Sequence, residues 1–274
     1  MNVLTNFIPL PGPLRYLAYT RAAVARVLAY RVNFWMGAVG TVLGMTIQYY
    51  LWTAIYHGED GALAGYGAVE ALTYVILGQA LQGFLHPEGD PLGRKVRDGS
   101  IAVDLARPAD WQWVVFWDYL GGSLFRWLTT GVPAMVLFTV VGAVAAPPSL
   151  GAFLVFLVSA FLGFVLLFAW HFLFGLLSFW TKGGGLIDLK ATAVSLFSGA
   201  LVPLEFYPPG LRRMAMALPF RGIYYLPLSI YTGRLGAGEA AGALGWQAAW
   251  AVGLFLMARV LWRRATRSLV IHGG

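Results

Sequence analysis

The chain has few side chains that could carry out chemistry, and their positions do not converge on a site. Its four histidines stand at positions 57, 86, 171 and 272, too scattered to form a metal-ligand set. The glycines at 183–185 lack the lysine and hydroxyl residue of a phosphate-binding loop. Cysteine is absent, which excludes disulfides, thiolate metal sites and thiol catalysis. The sequence therefore predicts a protein that is not an enzyme and binds no cofactor of its own.

Two charged residues stand inside an apolar stretch, Asp118 and Arg126. A charge at the centre of a membrane helix costs about 3 kcal/mol, and less near its ends, so both should face protein or water. Eight residues separate them, about 12 Å along a helix, so they do not pair directly. Either a polar pathway or a structural bond between helices accounts for them. Of the other acids, Glu70, Asp188 and Glu205 lie close to apolar stretches, none clearly at a midplane.

Six long apolar stretches surround these polar residues and fill most of the 274-residue chain. The composition is 59% hydrophobic and 11% charged, whereas soluble domains carry about 25% charged residues. A helix crosses a bilayer core of about 30 Å with about 20 apolar residues, and in lipid it satisfies its own backbone. The predicted fold class is therefore an all-α integral membrane protein, with one transmembrane domain over residues 1–274. The six predicted membrane helices are 34–56, 69–85, 113–144, 151–179, 186–202 and 242–261.

The basic residues predict the orientation of these helices. The net charge is +7, and Lys and Arg concentrate in the N-terminal segment, the second and fourth loops and the tail. Basic residues in short loops mark the cytoplasmic side, so both termini are expected in the cytoplasm, and no nucleic-acid partner is needed to explain the charge. The fifth loop is an exception because it is expected outside and yet is basic. Its arginines are Arg212, Arg213, Arg221 and Arg234.

The N-terminal segment 14–31 predicts an amphipathic helix lying in the membrane interface. It is either a membrane anchor or an element that transmits force. Arg21 falls on the apolar arc and has to snorkel. Leu14, Leu17, Val24 and Leu28 form the apolar arc, opposite Arg15, Tyr19, Arg26 and Tyr30.

The second loop, 87–108, has the pattern of a docking surface for a soluble partner. Pro91 can open a short helix and Gly99 can close it. Leu92 and Val96 then share one face, with charged residues around the others. A helix lying on lipid headgroups is the alternative.

The fifth loop is apolar but repeatedly broken by Pro and Gly between residues 203 and 231. Irregular backbone is tolerated at membrane depth only where protein or water surrounds it. We expect a hairpin that re-enters the membrane and caps a cavity from outside. A structured external loop is the alternative.

Several short motifs along the chain resemble those of permease subunits of type-2 ATP-binding-cassette (ABC) exporters, in the bacterial six-helix branch. Each is short and apolar, but their order and spacing together are specific. His272 departs from the glutamine more usual in such tails, without functional consequence. The motifs are RDGSIAVDLARP at 97–108, SFWT at 178–181, SGALVPLEFYP at 198–208, LPF at 218–220, PLSIY at 227–231 and RSLVIHGG at 267–274.

The resemblance implies a chain without its own ATPase site, working with two ABC ATPase subunits that hold ATP and Mg. It implies a second permease copy or a related permease, a membrane-lipid environment, and a multi-pass location in a bacterial cytoplasmic membrane. Segment 14–31 would be a connecting helix and 203–231 an outer gate before the last membrane helix. The implied coupling residues are Leu92, Arg94, Val96, Arg97, Asp98, Ile101, Asp104, Leu105 and Arg107. The implied gate residues are Pro203, Glu205, Phe206, Tyr207, Pro208, Pro219 and Phe220.

The expected function is outward transport of a hydrophobic or amphipathic substrate, a drug (as in multidrug efflux), a lipid or a glycan. An ATP-independent channel or secondary transporter is the rival. It predicts a buried carboxylate whose neutralisation stops transport. A membrane enzyme would need polar residues clustered at one membrane face, which the sequence does not offer.

Overall fold

The computed structural model describes residues 16–58, 61–85, 91–105, 109–177, 179 and 185–269. The described residues form helices, and their β-type pairing is limited to one isolated bridge between Leu63 and Tyr66. The prediction of an all-α protein is confirmed over these ranges. The α-helices are α1 Leu17–Ala29, α2 Arg31–Tyr56, α3 Ala68–Gln82, α4 Pro91–Arg97, α5 Ile101–Leu105, α6 Trp111–Arg126, α7 Val132–Val140, α8 Leu150–Leu177, α9 Gly185–Phe197, α10 Pro209–Ala217, α11 Tyr225–Tyr231 and α12 Ala237–Leu269.

Three helical stretches of the described chain are long and apolar enough to cross a membrane, which supports the prediction of a membrane protein. They are Trp111–Val140, Leu150–Leu177 and Ala237–Thr266. Helices α3 and α9 have 15 and 13 residues, or about 22 and 20 Å at 1.5 Å per residue. Both are short of a core of about 30 Å, so the neighbouring loops have to complete any crossing there.

The first of these stretches changes winding in its middle. Helices α6 and α7 are joined by a π-helical turn, Trp127–Gly131. A side chain at Gly131 would lie 2.5 Å from the carbonyl oxygen of Ala80, so α3 meets this turn backbone to backbone. Only glycine allows such an approach, because any Cβ would overlap the oxygen.

The same stretch ends at Val140, four residues before the predicted end at 144. Gly142 adopts a φ of 80°, which favours glycine. The Ala143 N–H donates to the Phe138 carbonyl and the Gly142 N–H to the Thr139 carbonyl, at 2.9 and 3.0 Å. This is a Schellman cap, and it stops the helix although the sequence stays apolar beyond it.

Helix α9 also ends earlier than predicted, at Phe197 and not at 202. Gly199 has a φ of 76° and Pro203 follows shortly after. The Gly199 carbonyl accepts a hydrogen bond of 2.9 Å from the Tyr74 hydroxyl. Residues 198–202 therefore form an irregular link that is tied to α3.

Helix α8 runs through the centre of the molecule and packs against α12, α11 and α4. Phe156, Phe164 and Phe168 on α8 are each 1% exposed. Phe116 of α6 meets the last two with ring centres 5.8 and 5.1 Å away, in edge-to-face geometry. Such aromatic pairs contribute about 0.5–1.5 kcal/mol beyond the area they bury, and they join α6 to α8.

Helix α1 lies against α6 at very short range. A side chain at Gly121 would lie 2.7–2.9 Å from atoms of Thr20, and the Thr20 hydroxyl donates to the Trp117 carbonyl at 3.0 Å. Ala23 is buried in this contact, whereas Leu17 and Leu28 of the predicted apolar arc are exposed. Thr20 and Ala23 therefore face α6, whereas Leu17 and Leu28 face away from the protein.

Candidate functional site

Glu205 lies at the centre of a polar network that joins three separate segments. Its carboxylate accepts hydrogen bonds from the Tyr66 hydroxyl at 3.0 Å and from the Tyr225 hydroxyl at 2.6 Å. Tyr66 belongs to the 61–67 loop and Tyr225 begins α11, so the two donors come from segments far apart in the chain. Hydrogen bonds to an ionised acceptor contribute more than neutral ones, about 1.5–3 kcal/mol each.

Tyr66 is fixed by burial and by hydrogen bonds at both its hydroxyl and its carbonyl. It is fully buried, and its carbonyl accepts a hydrogen bond of 2.7 Å from the Tyr56 hydroxyl at the end of α2. Burial, and then the negative charge of Glu205, raise the pKa of Tyr66 above its usual value. Tyr66 therefore stays protonated at physiological pH and remains a donor to Glu205.

Arg234 closes this network from the loop before α12. Its guanidinium donates to Glu70 at 3.0 Å and to the Gly65 carbonyl at 2.9 Å. Burial by itself lowers the pKa of Arg234, but the hydrogen bond to Glu70 and the nearby negative charges outweigh it and raise the pKa overall. Arg234 is one of the arginines in a loop that is expected outside, where basic residues are unusual. It thus has an acidic partner nearby, Glu70.

The predicted gate residues divide into two groups. Phe206 packs beside the Glu205 network, with ring centres 5.2 Å from Trp52 and 5.8 Å from Tyr66. Phe220 lies elsewhere, 4.7 Å from the Trp170 ring of α8. Pro203 and Pro219 are buried, Tyr207 is half-buried and Pro208 is exposed.

The segment around Phe220 is enclosed by protein. Its short 3₁₀ helix, Pro219–Gly222, lies against α8, where a side chain at Gly163 would come 2.7 Å from the Ile223 carbonyl. Gln247 of α12 donates to the Gly222 carbonyl at 2.7 Å and to the Ser159 carbonyl at 3.1 Å. The Ser159 hydroxyl donates back to Gln247 at 2.8 Å. The irregular backbone of this segment thus finds hydrogen-bond partners within the protein.

The predicted docking segment forms two short helices, α4 and α5, folded onto the rest of the chain. Leu92 and Ile101 are buried, and buried Asp104 pairs with Lys95, whose ammonium lies 4.6 Å from the ring centre of Trp111. The buried side chains of Leu92, Ile101 and Asp104 therefore anchor the segment, and a partner protein would not contact them directly. Arg94, Asp98 and Leu105 are exposed, as is Val103, while Val96 is half-buried.

Two residues of the predicted coupling set cannot be placed in this way. Arg107 lies outside the described residues, and of Arg97 the structure describes the backbone in α4 but not the side chain. Residues 14 and 15 of the predicted interfacial helix also lie outside the described ranges.

A comparison with protein families matches residues 42–273 to the model of the ABC-2 family transporter protein. The match includes the docking segment, the Glu205 network and the enclosed 3₁₀ helix. The chain belongs to the ABC-2 transporter family. The resemblance of its motifs is therefore confirmed, and the protein is a membrane transport component of the permease type. No curated protein matches this permease in sequence.

In this ABC-2 permease, the two charged residues of the third predicted membrane helix take different positions. Asp118 forms a two-point ion pair with Arg26 of α1, with N···O distances of 2.8 and 3.2 Å. Arg126 lies eight residues further along and lines a cavity, together with Asp118. The sequence left two roles open for Asp118, a polar pathway or a structural bond between helices. The ion pair with Arg26 favours the structural bond.

Several residues of this permease that hold the predicted gate residues in place were not predicted as site residues. They are Tyr66 and Trp52, beside Glu205 and Phe206, and Gln247, which bonds to the segment around Phe220. All three stand in stretches where an aromatic or amide residue is ordinary. The sequence did indicate Arg234, because this basic residue lies in a loop that is expected outside, where basic residues are unusual. A search for an acidic residue at the start of a predicted membrane helix on the same side would have found Glu70 in the first turn of α3.

Proposed function

We propose that this permease is the membrane half of an exporter driven by ATP that separate subunits hydrolyse. The family match over residues 42–273 carries the proposal, because it spans both the docking segment and the enclosed hairpin. The substrate is a hydrophobic or amphipathic molecule, namely a drug, a lipid or a glycan. ATP and Mg belong to the partner subunits, since the sequence has no phosphate-binding loop.

The proposed setting is a bacterial cytoplasmic membrane, with six crossings and both termini in the cytoplasm. Three helical stretches have the length and composition to cross. The shorter α3 and α9 are extended by the irregular links that follow them. The segment 203–231 re-enters the membrane from outside, and its buried backbone supports this arrangement.

Two ATPase subunits bind the cytoplasmic face of a permease pair through α4 and α5. Val103 is 62% exposed and Leu105 38% exposed, in a segment whose Leu92 and Ile101 are buried. Exposed apolar residues on an otherwise anchored element favour contact with a partner. Movement received there reaches α8, because α4 packs directly on it.

At the other end, the Glu205 network acts as the outer gate. It ties the 61–67 loop to the hairpin by hydrogen bonds, and a few such bonds can be exchanged between two states. ATP binding closes the partner subunits and favours an outward-open state in which these bonds separate. The difference in substrate affinity between the two states then drives release.

The test is transport and ATP hydrolysis by the permease reconstituted with the ATPase subunits that copurify with it. Val103→Glu should lower both activities at least tenfold and leave the thermal stability of the permease unchanged, because this side chain is exposed. Arg263→Glu, at an exposed position of α12, is the control for added charge and should keep both activities. Coupled transport that survives Val103→Glu would remove the docking role. Hydrolysis by the permease freed of every other protein would overturn the proposal.

The alternative is an ATP-independent channel or secondary transporter, and the position of Glu205 gives it a specific test. A partly buried carboxylate held by two phenols resembles a proton-carrying site. In that case Glu205→Gln stops transport although no ATPase is present. In the exporter, the same variant weakens the gate and leaves transport dependent on ATP.

A further inference from the structure

An open pocket of about 720 Å³ lies beside helix α10, within the segment that is proposed to re-enter the membrane from outside. Its volume falls within the range of about 300–1,000 Å³ usual for small-molecule sites. Glu205 and Tyr207 line it on one side. The other lining residues follow one another at helical spacing, so a single face of α10 forms the rest of the wall. They are Pro209, Arg212, Arg213, Met216 and Ala217.

Two arginines of this wall have no acidic partner in the part of the chain that the structure describes. Arg212 and Arg213 are both exposed, and neither forms an ion pair there. The Arg213 Nε donates to the Pro209 carbonyl at 3.4 Å, within α10 itself. The one carboxylate in the described lining, Glu205, already accepts a hydrogen bond on each oxygen from a tyrosine hydroxyl. Two cations therefore face one anion, and the described lining carries an excess of one positive charge.

A third arginine, Arg221, lies next to this wall. Its Nη1 donates to the Sδ of Met216 at 3.5 Å, and its guanidinium carbon lies 4.3 Å from the ring centre of Trp246 on α12. A thioether sulfur is only a weak acceptor. The Nε of Arg221 is buried without a hydrogen-bond partner, and the residue forms no ion pair with the described residues. Met216 touches Arg221 and also lines the pocket, and its flexible side chain can turn aside.

These three arginines are the ones in the fifth loop that the fold leaves without an explanation. Basic residues are unusual in a loop that is expected outside, and Arg234 has its partner in Glu70. Arg212, Arg213 and Arg221 have no such partner among the described residues. Keeping a partly buried cation such as Arg221 without an anion is costly, so an anionic ligand would remove an existing cost.

We propose that this pocket binds a phosphate group, carried either by an anionic lipid headgroup or by a soluble phosphate ester. Guanidinium groups match the oxygens of a phosphate in geometry and charge. Arg212 and Arg213 hold the phosphate, and Arg221 joins them when Met216 turns aside. The apolar remainder of the wall receives the part of the ligand that follows the phosphate. Binding here goes beyond the proposed transport function, since it needs neither ATP nor translocation.

The experiment measures ligand binding by the purified full-length permease in detergent, using native mass spectrometry. The probes are phosphatidylglycerol, phosphatidylcholine with the same acyl chains, and glycerol phosphate. We expect phosphatidylglycerol to bind roughly tenfold more tightly than phosphatidylcholine, because choline cancels the charge of its phosphate. Arg212→Gln and Arg213→Gln should each weaken phosphatidylglycerol binding about fivefold, and the double variant about 25-fold, since each change removes one cation from beside an anionic headgroup.

The third arginine has its own pair of variants. Arg221→Gln should weaken phosphatidylglycerol binding by a similar factor. Arg221→Lys, which keeps the charge but loses the planar fork, should restore part of the binding. Arg264→Gln is the matched control, because it removes one exposed arginine near the far end of α12 and should keep the preference.

Glycerol phosphate distinguishes the two sources of phosphate. If it displaces phosphatidylglycerol at millimolar concentration, the ligand is a soluble ester. If it does not, the acyl chains are required and the ligand is a lipid.

A preference for phosphatidylglycerol that survives the Arg212→Gln, Arg213→Gln double variant would overturn the proposal. So would a loss of equal size in Arg264→Gln, or equal binding of the two lipids by the wild-type protein. If the Arg221 variants do not fold, the double variant decides alone, because Arg212 and Arg213 are exposed and their replacement leaves the helix packing intact. Because no arm of this experiment uses ATP, its failure leaves the exporter proposal standing.

Discussion

The guanidinium of Arg234 lies 3.8 Å from the ring centre of Tyr66 and also pairs with Glu70 at the start of α3. One arginine thus covers the aromatic ring that donates to Glu205 and neutralises the acid beside it. Stacking of this kind contributes about 0.5–2 kcal/mol, depending on how far the pair is desolvated. The basic character of the fifth loop at this position therefore has a structural cause, separate from the rule that orients membrane helices.

The ion pair of Arg234 and Glu70 should stabilise the fold measurably. Both side chains are about one-quarter exposed, so we expect Arg234→Gln and Glu70→Gln each to lower the free energy of unfolding by about 1–2 kcal/mol. The double variant should lose less than the sum of the two, because the second change removes a partner already lost. Thermal unfolding of the purified protein gives these values. Arg213→Gln, at an exposed position on α10, should change them by less than 0.5 kcal/mol.

Removing one hydroxyl from the Glu205 network should weaken the proposed outer gate. Tyr66→Phe and Tyr225→Phe keep the ring packing and remove one hydrogen bond each. We expect a loss of about 1.5–3 kcal/mol in stability and faster leakage of substrate through the reconstituted permease without ATP. Tyr50→Phe is the control, because Tyr50 is 67% exposed on α2. Equal leakage in Tyr50→Phe and Tyr66→Phe would contradict a gate at Glu205.

A methyl group at Gly163 should displace the 3₁₀ helix Pro219–Gly222. Its Cβ would lie 2.7 Å from the Ile223 carbonyl and 3.0 Å from that of Gly222, both backbone atoms. We expect Gly163→Ala to cost about 1–3 kcal/mol, although alanine favours a helix more than glycine does. Gly151→Ala, on the same helix and 3.6 Å from the Ser149 hydroxyl oxygen, should be neutral or stabilising. If both variants unfold at the wild-type temperature, the 3₁₀ helix does not pack against Gly163.

Gln247 should be energetically coupled to Ser159. Gln247→Leu leaves the Gly222 carbonyl and the Ser159 hydroxyl buried without their partner, and we expect a loss of about 2–4 kcal/mol. Ser159→Ala alone should cost less, because Gln247 keeps both carbonyl acceptors. A double-mutant cycle measured by thermal unfolding should give a coupling energy above 0.5 kcal/mol. Strictly additive losses would show that the two residues act independently.

The membrane setting was predictable from a composition of 59% hydrophobic and 11% charged residues. The helical class was predictable from apolar stretches that are long enough to cross a bilayer as helices. Helix ends were less predictable. Val140 and Phe197 end their helices inside apolar sequence, where caps at Gly142 and Gly199 decide the ends. Hydropathy depends on the type of side chain, so it does not reveal where the backbone turns at a glycine.

The predicted docking segment shows the same difference between local and tertiary properties. Its short helices and its breaks at Pro91 and Gly99 are local properties, readable from turn chemistry. Local sequence does not determine which of its apolar side chains are exposed. Leu92 and Ile101 turn inward and Val103 turns outward, because α8 and Trp111 occupy one side of the segment.

The sequence by itself determined that this protein is a helical membrane permease of the ABC-2 family, since both conclusions rest on composition and on motifs of neighbouring residues. The tertiary structure alone decided that Glu205 meets Tyr66 and that Asp118 meets Arg26. These partners are 139 and 92 residues apart in the chain. Contacts over such separations depend on how the helices pack, and that is governed by close approaches at Gly121, Gly131 and Gly163, which no periodicity records.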